Sequence, residues 1–490
     1  MKFKFLFSSI ISLAVISSSL SFSTSFAEQV PDTTNQITSE NISKLFNKSG
    51  ITSNTSSISI MSLRDGRIIY QNNQNKPLAP ASNLKLITSA AALTLLKPEH
   101  KFKTVMYGDS YIYAGKLNGN LYIKGFGDPD LTAERLWRTV RKLKNTGIKE
   151  ITGDIIADES FFDSKEIGEG WKVARYGDSV YSARISALSV NRNTVEVWIR
   201  SGDKNGTKGI VTLDPENDFF EVDNKTYTGG GYSRMIISRQ VLPDGRNKVL
   251  VKGSVPLGSH SEVNRINLDN PALYSGYVLA KILEKEGIKI KGKVKKGVTP
   301  PKAVELISTN SRTLSSIVYD FNKHSVNIIG EILLKYLGAT FRGLPGSASK
   351  GYEVIKKDFF ERMLKIDTKD FSMADGSGLS PLNRITSEQF NKVLSYMYKQ
   401  IDLQSDYIAS LPVAGADGTL RKRARRTAGE RKYRAKTGFI NGVSCLSGYT
   451  FSKDGEPIAF SIMMNNFNNT GLALSIQDSI CTYLATNRLN

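Results

Sequence analysis

The chain has 490 residues, 40% of them hydrophobic and 9% aromatic, and its formal net charge is +20. This length and composition exclude a structureless chain and are sufficient for a buried core and, by length alone, for more than one domain. The strong positive charge predicts an anionic partner or surface.

The first 27 residues have the composition of an export signal. Lys2 and Lys4 precede the apolar run FLFSSIISLAVISSSLSF, and the residues SFA precede Glu28. We therefore expect a signal peptide over residues 1–27 and a mature protein in the periplasm or another extracytoplasmic part of the cell envelope. No later segment approaches the ~20 apolar residues that a membrane-spanning helix requires.

A β-hairpin is predicted near the start of the mature chain. Residues 57–70 contain two β-rich runs joined by Asp65-Gly66, a typical hairpin turn. A helix is predicted to begin near Ser82. From about residue 101 to 305, short strands and turns replace this pattern, with a helical stretch near residues 136–146. This texture predicts a mainly β insert of two subdomains.

Helices return from about residue 306. The runs TLSSIVYDFN, VNIIGEILLKYLGA and ITSEQFNKVLSYMYKQI have a helical pattern, and the chain ends with two apolar strands and a helix from about Leu472. A hairpin at one end of the chain and strands at the other predict one α/β (α+β) domain. We assign its two parts to residues 28–100 and 306–490, on either side of the insert at 101–305.

Cysteines and histidines indicate neither a disulfide framework nor a metal site. Cys445 and Cys481 are the only cysteines, and both a single bridge and two free buried thiols are compatible with the sequence. The histidines, His100, His260 and His324, lie at no metal-ligand spacing. Their isolation also disfavours a Ser-His-Asp triad. We expect no metal and no cofactor.

The stretch PASNLKLITSAAALTLL contains Ser82 and Lys85 at S-x-x-K spacing. The same pattern begins at Ser201 and Ser347, in glycine-rich turns where nothing fixes the hydroxyl against the amine. Only Ser82 precedes a long helical run, whose spacing places both groups on one helix face. Ser82 is thus a candidate nucleophile with Lys85 as its base, and a serine N-cap is the alternative.

Acyl transfer by a serine without histidine needs further groups. The S-x-N motif at Ser325 supplies a hydroxyl for proton transfer and an amide for orienting a substrate, at a break between two helical runs. The K-T-G motif at Lys436 supplies a cation for a substrate carboxylate, and its glycine permits close approach of the backbone to a ligand. The three motifs occur along the chain in the order Ser82, Ser325 and Lys436, which is compatible with one acyl-transfer site.

The densest run of positive charge is RKRARRTAGERKYRAK, from Arg421 to Lys436. In a cytosolic chain such a run is typical of nucleic-acid binding, but the export signal argues against nucleic acid as a partner. Anionic envelope polymers or a membrane surface are the partners that remain. A solvated basic loop is the alternative.

The motifs S-x-x-K, S-x-N and K-T-G, in this order after an export signal, resemble those of the penicillin-binding protein and serine β-lactamase superfamily. The long insert between the first and second motifs makes this resemblance more specific. The chain is similar to the class C low-molecular-mass penicillin-binding proteins in the segments GFGDPDL at Gly125, ADESFFD at Ala157, ISALSVNRN at Ile185, DGSGLS at Asp375 and GADGTL at Gly415. The resemblance implies a transpeptidase/β-lactamase-like domain, in which helices flank an antiparallel sheet.

The resemblance also implies a role for each residue of the first two motifs. Ser82 resembles the nucleophile that is acylated, and Lys85 resembles the group that accepts its proton. Ser325 resembles the relay that passes a proton to the departing D-alanine amine. Asn327 resembles the side chain that binds the substrate peptide and helps to hold Lys85.

The third motif resembles the substrate-binding strand of these enzymes. Lys436 and Thr437, followed by Gly438, resemble the electrostatic anchor for the terminal carboxylate of the substrate. The oxyanion hole would consist of the backbone N–H groups of Ser82 and Phe439. One such donor is typically worth about 10²–10³ in kcat.

A further substrate contact is implied within the insert. Asp158 in DESFF matches a D-x-S-x-F segment whose acid, in relatives, meets the side-chain ammonium of diaminopimelate. An aspartate that caps a turn at a strand end is the alternative.

The expected function is that of a serine-type D-alanyl-D-alanine carboxypeptidase or endopeptidase. It would act on peptidoglycan stem peptides through an acyl-enzyme at Ser82 and be inhibited by β-lactams. A β-lactamase on the same scaffold and a non-catalytic cell-wall-binding protein are the alternatives. The complete motif set argues against the non-catalytic protein.

Overall fold

The computed structural model describes residues 33–47, 55–171 and 179–489. The predicted signal peptide at residues 1–27 lies outside the described residues. Among the helices that are described, none is both long and apolar enough to cross a membrane.

The described strands form five sheets. Their bounds in chain order are β1 (Ser56–Ser62), β2 (Ile68–Asn72), β3 (Lys103–Gly108), β4 (Ile112–Tyr113), β5 (Lys116–Leu117), β6 (Leu121–Gly125), β7 (Glu150–Ile151), β8 (Ile155–Asp158), β9 (Thr194–Arg200), β10 (Ile210–Asp214), β11 (Phe220–Thr228), β12 (Arg234–Val241), β13 (Asn247–Val255), β14 (Glu262–Asn267), β15 (Lys289–Ile290), β16 (Val294–Lys296), β17 (Val304–Asn310), β18 (Tyr433–Ile440), β19 (Val443–Phe451) and β20 (Pro457–Asn465).

The α-helices lie mainly in the first and last parts of the chain. Their bounds are α1 (Thr33–Phe46), α2 (Lys85–Leu96), α3 (Ala133–Lys144), α4 (Pro271–Lys285), α5 (Leu314–Lys323), α6 (Asn327–Arg342), α7 (Ala348–Glu353), α8 (Ser387–Lys399), α9 (Ile401–Ala409) and α10 (Thr470–Thr486). A 3₁₀ turn, Ala81–Leu84, precedes α2, and a π-helix, Val354–Leu364, continues α7.

The two ends of the described chain meet in one antiparallel sheet with the strand order β18-β19-β20-β1-β2. The predicted hairpin is confirmed, because β1 pairs with β2. Strand β1 also pairs with β20 over its whole length, so residues far apart in sequence share one sheet. The predicted α/β fold class, with helices flanking an antiparallel sheet, is confirmed.

The side chains of β20 alternate between two hydrophobic cores, as the period of a strand requires. Ile458, Phe460 and Ile462 belong to the core that includes α10. Ala459 and Met463 belong to the core on the other face, with α2 and α8. Helix α2 is buried along most of its length, which explains why its sequence is apolar on nearly all sides.

The two cysteines lie in different cores. Cys445 on β19 belongs to the core with α2, where its Sγ is 3.6 Å from the Ala79 carbonyl oxygen. Cys481 on α10 belongs to the core on the opposite face. Both thiols are free and buried, so the disulfide that the sequence left open is not formed. Burial raises the pKa of the Cys445 thiol to about 12.

The segment predicted as an insert begins and ends near a pair of strands. Strands β3 and β17 are antiparallel neighbours at one edge of a sheet with the order β16-β8-β6-β3-β17. Helices α3 and α4 pack with these strands in a separate hydrophobic core. The boundaries at residues 101 and 305 and the division into two subdomains stay predictions.

Some residues of this segment pack in the core that contains α2 and α8, and not in the core that contains α3 and α4. Phe162, Trp171 and Ile185 are buried together with residues of α2 and α6. The carboxylate of Asp163 accepts a 2.6 Å hydrogen bond from Lys335 on α6. These contacts place Phe162, Asp163, Trp171 and Ile185 beside the helices that carry the first two motifs.

Candidate active site

Ser82 lies within the 3₁₀ turn Ala81–Leu84, and helix α2 begins three residues later at Lys85. Neither the turn nor α2 has a side-chain cap at its start, so the N-cap alternative is wrong for Ser82. In contrast, Ser347 of the third S-x-x-K copy caps α7 by accepting a 3.2 Å hydrogen bond from the Lys350 N–H. Context therefore separates the two copies.

The Lys85 amine is enclosed by three oxygen atoms. Its Nζ lies 3.0 Å from Ser82 Oγ, 2.7 Å from Asn327 Oδ1 and 2.6 Å from the Ser377 carbonyl oxygen. The side chain is fully buried. Burial lowers the pKa of Lys85 to about 7, although the nearby carboxyl groups of Asp375 and Glu331 oppose this shift.

These contacts determine whether Ser82 or Lys85 donates the hydrogen bond between them when Lys85 is neutral. A neutral amine has two N–H donors and one lone pair, whereas a carbonyl oxygen can only accept. The oxygens of Asn327 and Ser377 therefore occupy both N–H groups. The lone pair is left for the Ser82 hydroxyl, which is the one neighbour of the three that can donate a proton.

Asn327 is held from both ends of its amide. Its Oδ1 accepts from Lys85, and its Nδ2 donates a 2.9 Å hydrogen bond to the Tyr181 carbonyl oxygen. Ser325 lies two residues earlier, between α5 and α6, with a φ of 57°. Left-handed backbone is unusual for serine and marks a position that its surroundings determine. No hydrogen bond between described residues links the Ser325 hydroxyl to Ser82 or Lys85.

The K-T-G residues lie on β18, the edge strand of the sheet. Lys436 is fully buried, and its Nζ donates a 2.8 Å hydrogen bond to the Thr437 carbonyl oxygen. Burial lowers the pKa of Lys436 well below its usual range, and the charge of Lys85 adds to this shift. The Thr437 hydroxyl contacts the Thr419 hydroxyl at 2.7 Å.

Gly438 permits direct backbone contact between β18 and the turn that contains Ser82. A Cβ atom at this position would lie 2.4 Å from the Pro80 carbonyl oxygen and 3.0 Å from the Asn83 backbone nitrogen. Any larger residue would therefore push the strand away from the turn. The close approach brings the backbone of Phe439, the next residue, to the same turn.

A loop that begins at Asp375 supplies the Ser377 carbonyl, and the Asp375 carboxylate holds this loop. It accepts hydrogen bonds from the backbone N–H groups of Gly378 at 2.9 Å and Ser380 at 2.6 Å, and from Trp171 Nε1 at 2.8 Å. The DGSGLS segment carries part of the family resemblance, but its sequence alone indicated no role for the aspartate.

Glu331 is a second buried carboxyl group near Lys85 and was not among the predicted site residues. Burial and the Asp375 carboxylate raise the pKa of Glu331 to about 8. Its position carries a signal that is visible in the sequence. Glu331 follows Asn327 by four residues on α6, and this spacing places the two side chains on one helix face.

Asp158 does not belong to this group. Its side chain is fully buried, and its carboxylate accepts hydrogen bonds from the backbone N–H groups of Ser160 at 2.9 Å and Thr299 at 2.8 Å. Lys124 Nζ lies 3.2 Å away. A carboxylate enclosed in this way cannot also bind a diffusing peptide. We therefore correct the predicted substrate contact, since these bonds are those of the turn-capping alternative.

Curated proteins similar to this chain include two D-alanyl-D-alanine carboxypeptidases. The D-alanyl-D-alanine carboxypeptidase of Actinomadura sp. (strain R39) is 33% identical over 462 residues, which cover 91% of this chain and 84% of the relative. The D-alanyl-D-alanine carboxypeptidase DacB of Haemophilus influenzae is 27% identical over 413 residues, which cover 84% of this chain and 85% of the relative.

Solved structures share the fold. The crystal structure of penicillin binding protein 4 (dacB) from Haemophilus influenzae has a TM-score of 0.76 and 24% identity, covering 90% of this chain and 98% of that chain. The structure of that protein complexed with a β-lactam has a TM-score of 0.73 and 22% identity, covering 91% and 99%.

The family comparison extends over almost the whole described chain. The family described as the D-Ala-D-Ala carboxypeptidase 3 (S13) family matches residues 38–487, a range that contains the Ser82 turn, both ends of the central sheet and the segment between them. The chain therefore belongs to the D-Ala-D-Ala carboxypeptidase 3 (S13) family.

Proposed function

We propose that the chain is a serine-type D-alanyl-D-alanine carboxypeptidase that acts on peptidoglycan stem peptides through an acyl-enzyme at Ser82. The observation that carries this proposal is the 3.0 Å contact between Ser82 Oγ and a buried Lys85 amine whose other neighbours can only accept. The family and the names of the relatives support the substrate class.

The proposed reaction begins when Ser82 Oγ attacks the carbonyl carbon of the D-Ala-D-Ala peptide bond and its proton passes to Lys85. The backbone N–H groups of Ser82 and Phe439 stabilise the negative oxygen that develops. The carbon–nitrogen bond then breaks, and Ser325 relays a proton to the departing D-alanine amine. Water hydrolyses the ester in a second step, in which Lys85 accepts a proton from the attacking water and returns it to Ser82 Oγ as the ester bond breaks.

The substrate is proposed to lie along β18. Asn327 would hydrogen-bond the substrate peptide, and Thr437 would bind its terminal carboxylate, beside Gly438. Because the Lys436 ammonium is buried behind the strand surface, its part would be to supply positive potential. Carboxypeptidase and endopeptidase action share the acyl-enzyme and differ in the leaving group, so mass analysis of products from intact muropeptides distinguishes free D-alanine from cleaved cross-links.

The cellular location follows from the substrate. Peptidoglycan lies outside the cytoplasmic membrane, and the first 27 residues have the pattern of an export signal. We therefore place the mature protein in the periplasm or another extracytoplasmic part of the cell envelope, where β-lactams would reach Ser82 as inhibitors. A β-lactamase on the same scaffold would instead release acylated penicillin quickly.

The first prediction concerns the nucleophile. A fluorescent penicillin should label the protein at Ser82, and Ser82→Ala should abolish labelling while the thermal unfolding midpoint stays close to that of the unsubstituted protein, since only a hydroxyl is removed. Ser347→Ala, in the S-x-x-K copy that caps α7, should label normally. Labelling that persists in Ser82→Ala contradicts the assignment.

The second prediction concerns the pH dependence of acylation. Because the pKa of Lys85 is lowered to about 7, the neutral amine becomes the major form as the pH rises through that value, and kcat/KM should rise with it. Lys85→Arg, which has no lone pair at any accessible pH, should abolish the reaction.

The matched control is Lys335→Arg, a buried lysine on the same helix as Asn327. This variant should retain the acid limb of the profile. A profile of the unsubstituted protein that is flat between pH 6 and pH 8, roughly one unit on either side of the pKa, contradicts the role of Lys85 as the base.

The third prediction concerns carboxylate recognition. Lys436→Met keeps the aliphatic stem but removes the ammonium. It should weaken kcat/KM for peptides with a free C-terminus by about 2–5 kcal/mol, the typical effect of breaking a buried charge pair, and should affect C-terminally amidated peptides much less. Because both peptides are measured on the same variant, any loss of folded protein affects the two kcat/KM values equally. If the ratio of kcat/KM between the free and the amidated peptide is the same as in the unsubstituted protein, Lys436 does not recognise the carboxylate.

The basic segment at residues 421–434 is proposed to bind anionic polymers of the envelope. The exposed cations of this segment form no ion pair with any described residue. They are Arg421, Lys422, Arg425, Arg426, Arg431, Lys432 and Arg434. The segment is anchored by Arg423, which pairs with Asp478 on α10 at 2.8 Å. Its one aromatic residue, Tyr433, is buried, so the segment has no aromatic ring for a membrane interface, and a polymer is the favoured partner.

The fourth prediction tests this segment with long-chain polyphosphate as the probe. The protein should bind polyphosphate at low salt and release it as salt increases. Replacing Arg421, Lys422, Arg425 and Arg426 by glutamine should remove most of the binding. A variant with equal net charge, in which the exposed Lys142, Lys204, Lys208 and Lys302 become glutamine, should retain it. Equal losses in both variants, or binding to anionic lipid vesicles only, contradict the proposal.

A further inference from the structure

Helix α6 presents two polar side chains toward Lys85, one turn apart. Asn327 contacts the amine directly at 2.7 Å. Glu331 does not contact it, but each of its carboxyl oxygens accepts a hydrogen bond from one of two consecutive backbone amides: Oε2 from Gly376 at 3.0 Å and Oε1 from Ser377 at 2.9 Å. Glu331 therefore binds the loop that begins at Asp375 through two of its backbone amides.

The carbonyl groups of the same two residues point the other way, toward α2. The Ser377 carbonyl accepts from Lys85 Nζ at 2.6 Å, and the Gly376 carbonyl accepts from Thr88 Oγ1 at 2.7 Å. The loop thus lies between the two helices, with its amides bonded to α6 and its carbonyls bonded to α2. A change in how Glu331 holds the amides must move the carbonyl that Lys85 contacts.

Backbone packing leaves the loop little freedom to adjust. A Cβ atom at Gly376 would lie 2.1 Å from the Gly330 carbonyl oxygen, and a Cβ atom at Gly330 would lie 2.8 Å from the Gly376 carbonyl oxygen. On its other side, a Cβ atom at Gly378 would lie 1.9 Å from the Ala81 carbonyl oxygen. The loop therefore transmits a displacement at α6 directly to the turn that contains Ser82.

We propose that Glu331 is a positioning residue for the proposed reaction. By fixing the Ser377 carbonyl, it directs one N–H group of Lys85 away from Ser82, while Asn327 directs the other. The amine lone pair then faces the Ser82 hydroxyl. This inference rests on the proposed function, because it concerns the orientation of the base and not the stability of the fold alone.

The test is Glu331→Gln, which keeps the shape of the side chain but places an NH₂ group against one of the two backbone N–H donors. We expect the rate constant for acylation of Ser82 by a penicillin to fall by about 10²-fold, the scale of a small misplacement of a catalytic group. The burst amplitude measures the folded sites, so the rate constant refers to folded protein only.

The matched control is Glu456→Gln, the same substitution at a fully buried glutamate. Glu456 precedes β20 at the end of the sheet remote from Lys436, where it pairs with Arg64 at 2.9 Å. This variant should lower thermal stability and leave the acylation rate constant unchanged. If Glu331→Gln behaves in the same way, Glu331 is merely structural and the proposal is overturned.

A second variant covers the case in which Glu331→Gln does not fold. Glu331→Asp keeps the carboxyl group but is one methylene too short to reach both amides, so it should also slow acylation. An acylation rate equal to that of the unsubstituted protein overturns the proposal. Failure of the proposed function itself would look different, since the unsubstituted protein would then not be acylated at Ser82.

Discussion

The burial of the Lys85 amine is the constraint on which the rest of the site depends. Removal of an ammonium from water costs several kcal/mol, so a lysine in a protein interior becomes neutral or is surrounded by acceptors. Both occur here, because burial lowers the pKa to about 7 and carbonyl oxygens of Asn327 and Ser377 accept its N–H groups. These partners are 242 and 292 residues away in sequence, so the base exists only in the folded chain.

Lys436 adds a second buried amine whose protonation opposes that of the first. Like charges in a low-dielectric interior favour the neutral form of one partner, and in the free protein the nearby Asp375 carboxylate favours the proton on Lys85. Under the proposed function, the substrate reverses this preference. A terminal carboxylate bound at Thr437 would favour the protonated form of Lys436, and the resulting ammonium would keep Lys85 neutral at the moment when Ser82 must lose its proton.

Local patterns were sufficient to predict the hairpin, because its two strands are neighbours in sequence. The S-x-x-K spacing placed Ser82 and Lys85 on one helix face, but the choice between a nucleophile and an N-cap came from the family resemblance. The antiparallel sheet flanked by helices was also implied by the resemblance, since its strands lie far apart in sequence. The 3₁₀ turn at Ser82 could not be read from the sequence, since it depends on the close contact of Pro80 with Gly438 on a distant strand. Glu331 was missed for a related reason. Its spacing from Asn327 is visible, but its partners are backbone amides, and these carry no side-chain signal.

The segment between β3 and β17 reaches the site through a backbone carbonyl and an indole, and not through the acid that the resemblance suggested. The Tyr181 carbonyl accepts from Asn327, and Trp171 donates to Asp375. One contact is to a direct partner of Lys85, and the other is to the loop that supplies its second acceptor. Displacement of Tyr181 would disturb one of the two acceptors of the amine, and displacement of Trp171 would disturb the loop that supplies the other. The positions of Trp171 and Tyr181 are therefore coupled to the orientation of the base.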